Sequence, residues 1–222
     1  RGRGARGPEG AGRALSGMRV LLLRHAETDW NRERRFQGRH DVPLSAAGRG
    51  QAESAARLLA GTPLAAVWSS PLSRARETAT RIAAPHGLAV QVEEAFTEMD
   101  FGDWVGLTRD EVTTRFPDAL SAWAETPQAA RWPGAETLDQ VRARALAGLG
   151  RLRAAHQGQT VCLVSHAITS RVLLLEALGL RPDRLWSLQI SSTGISELEF
   201  RDDWTTLHRM NSLVHLADIA VA

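Results

Sequence analysis

Two short apolar runs stand out against an otherwise polar chain. Val20, Leu21, Leu22 and Leu23 form the first, which reads as a strand buried on both faces. Thr160 to Ser165 (TVCLVS) forms the second. Each stops abruptly at polar residues, Arg24 and His25 after the first and His166 after the second. Weaker strand patterns cover Ala65 to Trp68, Ala89 to Val92, and a C-terminal hairpin, Ile195 to Phe200 with Trp204 to His208. Leu188 to Ile190 reads as one more apolar strand.

Helical periodicity fills the gaps between strands. Ser45 is a candidate N-cap for a helix that stops near Gly61 and Pro63. A second helix begins near Ser73 and ends by Pro85–Gly87. Thr108 with Glu111, and Thr137 with Gln140, are capping-box patterns, the first opening a short helix that Pro117 ends and the second a helix to about His156. ITSRVLLLEALG continues from His166 as a further helix. Residues 30–43 read as a polar loop, and residues 117–136 as an irregular flap over the sheet. Strands alternating with helices predict an α/β fold with a mostly parallel sheet covered on both faces.

Composition narrows the partners. The 222 residues contain no lysine and no tyrosine, and the formal net charge is +2. Residues 1–17 hold four arginines and one glutamate, so the remainder carries −1 and the high pI does not point to nucleic acid. That segment is expected to be a disordered leader or an expression remnant, with a single folded domain over 18–222. No apolar run reaches the ~18 residues of a membrane span, and residues 1–17 lack the apolar middle of a signal peptide. The lone cysteine, Cys162, cannot form an internal disulfide, which fits a cytoplasmic protein. It lies in mid-strand, and position 168 is Ile168 rather than the arginine a cysteine-phosphatase loop requires, so it reads as a core thiol. His40, His86, His156, His208 and His215 lack metal-ligand spacing.

Chemistry concentrates at strand ends. If the strands are parallel neighbours, Arg24, His25, Arg74 and His166 converge at one edge of the sheet. Two guanidiniums and two imidazoles without an obvious carboxylate partner make an anion site, and planar guanidinium forks suit phosphate oxygens. The helix beginning near Ser73 would add a positive dipole end. Arg76 is expected to face elsewhere. Trp104, Trp123 and Trp132 are candidates either for a pocket wall or for the core.

Four blocks in order carry a resemblance: RHAET at 24–28, SSPLSRARETA at 69–79, EMDFGDWVG at 98–106 and VSHAITSR at 164–171. Together they are similar to the motifs of the histidine phosphatase superfamily, which includes the cofactor-dependent phosphoglycerate mutases. The resemblance implies a three-layer α/β/α sandwich. It implies His25 as a nucleophile that becomes phosphorylated, Glu98 as proton donor, and Arg24, Arg74 and His166 as holders of the phosphoryl oxygens. Thr28, Asn31, Gln37 and Gly38 match positions lining the phosphate site. No metal and no cofactor are implied. Ala26 and Ala167 stand where the family usually has glycine, and Val105 where it usually has glutamate.

The expected activity is hydrolysis of a small-molecule phosphomonoester through phosphohistidine. Sugar phosphates, phosphoglycerate derivatives and α-ribazole phosphate are all open as substrates. The alternatives are a cofactor-dependent phosphoglycerate mutase and a non-catalytic phospholigand binder. Mutases of the family use extra basic residues and a tyrosine near the Glu98 loop, where this chain offers only Arg109. A homodimer paired through Leu188–Ile190 is a further expectation.

Overall fold

A computed structural model describes residues 17–217; the arginine-rich leader expected over 1–17 lies outside the described residues except for Gly17. Six strands form one sheet: β1 (Met18–Arg24), β2 (Ala66–Ser69), β3 (Val90–Val92), β4 (Thr160–Ser165), β5 (Ile195–Phe200) and β6 (Thr205–Ser212), in the order β3-β2-β4-β1-β5-β6. The first four run parallel, and β5 and β6 add an antiparallel hairpin beside β1. Seven α-helices connect them: α1 (Asp29–Arg32), α2 (Ala46–Leu59), α3 (Ser73–Ala83), α4 (Arg109–Arg115), α5 (Pro117–Glu125), α6 (Leu138–Ala155) and α7 (Ala167–Ala177).

The two apolar runs are the paired centre of the sheet, β1 beside β4, with Leu23 opposite Val164 and Arg24 opposite Ser165. Side chains of a strand alternate between faces, so each run serves two cores. Leu21, Leu23, Cys162 and Val164 pack with Ala55, Ala56 and Leu59 of α2 and with Ala75, Ala79 and Ile82 of α3. Val20, Leu22, Val161 and Leu163 pack on the other side with α6 and α7. The result is the expected three-layer sandwich. Cys162 is fully buried, and burial pushes its thiol up to about 12, which leaves it inert. Among the described residues no helix is long and apolar enough to cross a membrane.

The helix signals hold. Ser45 accepts from Gly48 N–H, and both capping boxes form, at Thr108 with Glu111 and at Thr137 with Gln140. Three expectations fail. The polar loop after β1 contains α1, where Thr28 and Asn31 form a third capping box, S/T-x-x-N rather than the usual glutamate form. The stretch 117–136 is half helix: Pro117 ends α4 and also starts α5, because proline at the first helical position forfeits no hydrogen bond. Leu188–Ile190 is not a strand. Both side chains are buried, the Ile190 carbonyl accepts from Arg24, and the Ser191 N–H is taken by Asn211.

Gly48 sets how closely α2 approaches the chain leaving β1: a Cβ there would run into the Glu27 carbonyl, whereas a Cβ at Gly50, one turn-half further on, meets nothing within 4 Å. Gly48→Ala is therefore expected to lower stability by about 1–3 kcal/mol. Gly50→Ala is expected to raise it by roughly 0.5–1 kcal/mol. Thermal or urea unfolding of the two variants checks the opposite signs.

Candidate active site

The site lies past the carboxyl ends of β1 and β4. The chain leaves β1 toward β2 on one side and leaves β4 toward β5 on the other, so a crevice opens between them. His25 N–H donates to the Ser165 carbonyl at 2.8 Å, tying the two strand ends together. His25 and His166 therefore stand side by side, with ring centroids 5.1 Å apart and a 55° tilt. A cavity of about 230 Å³ opens here, lined by Arg24, His25, Asn31, Gln37, Gly38, Arg74 and Glu98 on its inner side and by Phe101, Arg109, Trp123 and Trp186 further out. Two larger surface grooves, of about 400 and 470 Å³, contain none of these residues.

His25 is buried, and its Nδ1 lies 2.7 Å from the Ala26 carbonyl. A carbonyl can only accept, so Nδ1 carries the ring proton and Nε2 keeps a lone pair. Burial pushes the pKa well below the usual 6.5, and the charges of Arg74 and Arg24 push the same way. The ring is neutral at physiological pH.

His166 is neutral for the same reasons, burial first and then Arg74. Its Nε2 lies 2.8 Å from Ser70 Oγ, which also accepts from Leu72 N–H at 3.3 Å. Its Nδ1 is buried and has no partner among the described residues. Arg24 Nε and Arg74 Nε are likewise buried and unpartnered among the described residues. Buried donors nearly always have partners. The two guanidinium donors beside one neutral imidazole match a ligand made of acceptors, as a phosphoryl group is.

Arg74 is almost fully buried, yet it meets no carboxylate. Its two terminal nitrogens donate to the carbonyls of His40 (2.8 Å) and Gly38 (2.7 Å). Burial lowers its pKa to about 10, which leaves it charged at neutral pH. Gly38 has φ +52, and a Cβ there would sit 3.1 Å from Phe101 N and 3.2 Å from the Met99 carbonyl, so the position requires glycine. Arg24 is partly buried and donates to the Ile190 carbonyl at 3.0 Å. Gln37 is buried with Oε1 unpartnered.

Glu98 reaches the cavity from the loop after β3. Its Oε1 accepts from Met99 N–H (2.9 Å) and from Thr169 N–H (3.2 Å), and its Oε2 from Ile168 N–H (3.2 Å). The carboxylate thus caps the start of α7, with Oε2 the less occupied oxygen and the one free to hold a proton. Arg144 holds the backbone beneath it, donating to the carbonyls of Ala95, Thr97 and Glu98 and pairing with Glu136 at 2.7 Å. Burial raises the Glu136 pKa, but Arg144 and Arg39 outweigh that and the net shift is downward.

Of the residues expected at the phosphate site, all line the cavity except Thr28 and His166. Thr28 is fully buried, and its hydroxyl caps α1 and orients Asn31. His166 stands behind the wall, beside His25. The helix end near Ser73 does not face the site as an open dipole, because Asp41 accepts from Ser73 N–H. Arg76 is exposed, as expected. Ala26 packs with Leu44 and Ala52, so its extra methyl fills a small core. Val105 packs against the large core. Trp104 and Trp132 are core, stacked 3.8 Å apart, while Trp123 is both buried and part of the outer wall.

The sequence model of the histidine phosphatase superfamily (branch 1) matches residues 20–213. The chain belongs to this family. It is 32% identical over 204 residues to phosphoserine phosphatase 1 of Hydrogenobacter thermophilus, covering 92% of this chain and 97% of that one. Among solved structures, Bacillus stearothermophilus YhfR superposes with a TM-score of 0.85 at 29% identity, covering 90% of this chain and 99% of that one. A mycobacterial glucosyl-3-phosphoglycerate phosphatase complexed with VO3 gives 0.82 at 31%, covering 87% and 99%. Ser70, Arg144 and Trp186 are the parts of this candidate site that sequence reasoning missed. Ser70 sits inside the second motif block and was readable there; Arg144 and Trp186 carry no local signal.

The two neutral histidines make stability depend on pH. Unfolded, they take up protons below about 6.5; folded, they do not, so the unfolded state binds more protons and stability falls as pH drops through that value. Each contributes a slope approaching about 1.4 kcal/mol per pH unit. Unfolding midpoints between pH 7.5 and 5 should fall, and His166→Asn should flatten the slope; an unchanged slope in the variant would contradict the assignment.

Proposed function

We propose that this small-molecule phosphatase hydrolyses a phosphomonoester in two steps through a phosphohistidine at His25. The observation that carries the reading is the bond between His25 Nδ1 and the Ala26 carbonyl, which leaves the Nε2 lone pair in a cavity that Glu98 also lines. In the first step Nε2 attacks phosphorus and the ester P–O bond breaks. The leaving oxygen takes a proton from Glu98, whose Oε2 is positioned to hold one. In the second step Glu98 takes a proton from water as its oxygen attacks phosphorus, the P–N bond breaks, and orthophosphate leaves with His25 neutral again. Arg24 and Arg74 supply the donors that the transferring phosphoryl needs, mainly by position and charge, with His166 packed behind them against His25.

Hydrolysis is favoured over a mutase reaction because a mutase must hold a second anionic group while the phosphoryl returns. Of the two outer arginines at the cavity, Arg35 is already bound to Glu33 at 2.6 Å, which leaves Arg109. The substrate is a small soluble ester, with phosphoserine, sugar phosphates, phosphoglycerate derivatives and α-ribazole phosphate as the panel to test. We place the reaction in the cytoplasm, where a lone reduced cysteine is at home.

Phosphate release from that panel should survive excess EDTA, and His25→Ala should lower it more than ~10³-fold, because the substitution removes the covalent route. A variant that keeps a tenth of the activity would exclude His25 as nucleophile. Glu98→Gln should slow alkyl phosphates more than activated aryl phosphates; equal losses on both would remove Glu98 as the acid.

A further inference from the structure

The guanidinium of Arg24 is held from behind by a single peptide group. Its Nη1 donates to the Ile190 carbonyl at 3.0 Å, and this carbonyl is its one hydrogen-bond partner among the described residues. That carbonyl belongs to the Ile190–Ser191 peptide. The N–H of the same peptide, on Ser191, donates to Asn211 Oδ1 at 2.8 Å. A peptide group is planar, so fixing its N–H fixes the direction of its C=O. Asn211 therefore sets where the Arg24 fork can sit, although it touches neither Arg24 nor the cavity.

The surroundings make this grip rigid. Asn211 Nδ2 also donates to Ser191 Oγ at 3.1 Å, and its backbone N–H donates to Ser196 Oγ at 3.0 Å. Oδ1 is packed so closely that a Cβ on Gly194 would run into it. Asn211 has φ +46, in the left-handed region that asparagine tolerates better than most residues. Thr193, at φ +54 and fully buried, closes the other end of the loop: its N–H donates to the Arg24 carbonyl at 3.0 Å, and its Oγ1 lies 3.0 Å from His215 Nε2. Thr193 Oγ1 gives its own proton to the Ser192 carbonyl at 2.8 Å, so it accepts from His215. Thr193, in the loop before β5, and Asn211, near the end of β6, both sit at positive φ, a conformation that surrounding structure imposes.

We propose that Asn211 is a positioning residue for Arg24, acting through the Ile190–Ser191 peptide and thereby on phosphate affinity. The inference rests on the assignment of Arg24 to the phosphate site. Three variants separate its parts. Asn211→Gly tolerates the left-handed backbone and removes the grip. Asn211→Asp keeps an acceptor for Ser191 N–H. Asn211→Ser serves in place of the glycine variant if that one does not fold, its hydroxyl being one bond too short for the same reach.

The readouts are competitive inhibition by orthophosphate and kcat/KM on an aryl phosphate, measured in the full chain with and without Arg24→Ala. Asn211→Gly should weaken orthophosphate and lower kcat/KM roughly tenfold, Asn211→Asp should stay within about threefold of the parent, and in the Arg24→Ala background Asn211→Gly should change either quantity by less than about twofold. Equal losses from Asn211→Gly in both backgrounds would show a general structural role and overturn the proposal. So would unchanged orthophosphate affinity in Asn211→Gly when Arg24→Ala alone weakens it, and that outcome leaves the phosphate site standing. An Arg24→Ala variant with parental affinity would overturn both.

Discussion

Positive charge buried without a negative partner is the constraint around which this molecule is built. Arg74 is 1% exposed and bound only to two carbonyls, and Arg24 is bound to a third. A carbonyl carries a partial charge, so it orients a guanidinium without cancelling it. A carboxylate in the same place would stabilise the fold better, because a buried unpaired ion is costly. It would also occupy the fork. The nearest carboxylate, Glu98, is turned instead toward the amides at the start of α7. The field of these charges has two effects: it adds to the burial that keeps His25 and His166 neutral, and it favours an anion beside them. Whatever anion binds there relieves part of the burial penalty and stabilises the folded chain by mass action.

A site oriented by carbonyls must control backbone as carefully as side chains. Gly38 presents its carbonyl to Arg74 at φ +52. Arg144 gathers the carbonyls of Ala95, Thr97 and Glu98 under the loop that delivers the Glu98 side chain. Thr193 and Asn211 hold the loop behind Arg24 at positive φ. Each of these segments is pinned by a polar side chain from an element distant in sequence. The rigidity comes from the two cores under the sheet, and the polar anchors carry it outward to the crevice.

The geometry of the candidate site was legible because it hangs on strand ends. Val20–Leu23 and Val161–Val164 announce buried parallel strands by composition alone, and the residue after such a strand falls at the crevice whatever the loops do. The four motif blocks added roles that periodicity cannot supply. What was not legible is everything that depends on a distant partner. Thr28 reads as a phosphate ligand from the motif but spends its hydroxyl on capping α1. The dipole end at Ser73 was invisible as a closed site until Asp41 appeared beside it. Leu188–Ile190 has a strand's composition, and only the demands of Arg24 and Asn211 on its backbone make it a loop. Pro117 was rightly seen as a stop, but a proline that ends one helix can begin another, and the sequence pattern did not distinguish the two.

The first strand of the described residues is also at the middle of the sheet. β1 pairs with β4, whose last residue is Ser165, and with β5, which begins at Ile195. During synthesis it therefore has no neighbour until about 140 further residues have been made, from Arg24 to Ser165, a wait of roughly ten to thirty seconds at about 5–20 residues per second. For that interval its run of leucines is bare, flat and β-prone, and contacts so distant in sequence also slow the final closure. His25, fixed to the end of this strand, is made well before the neighbours that place it.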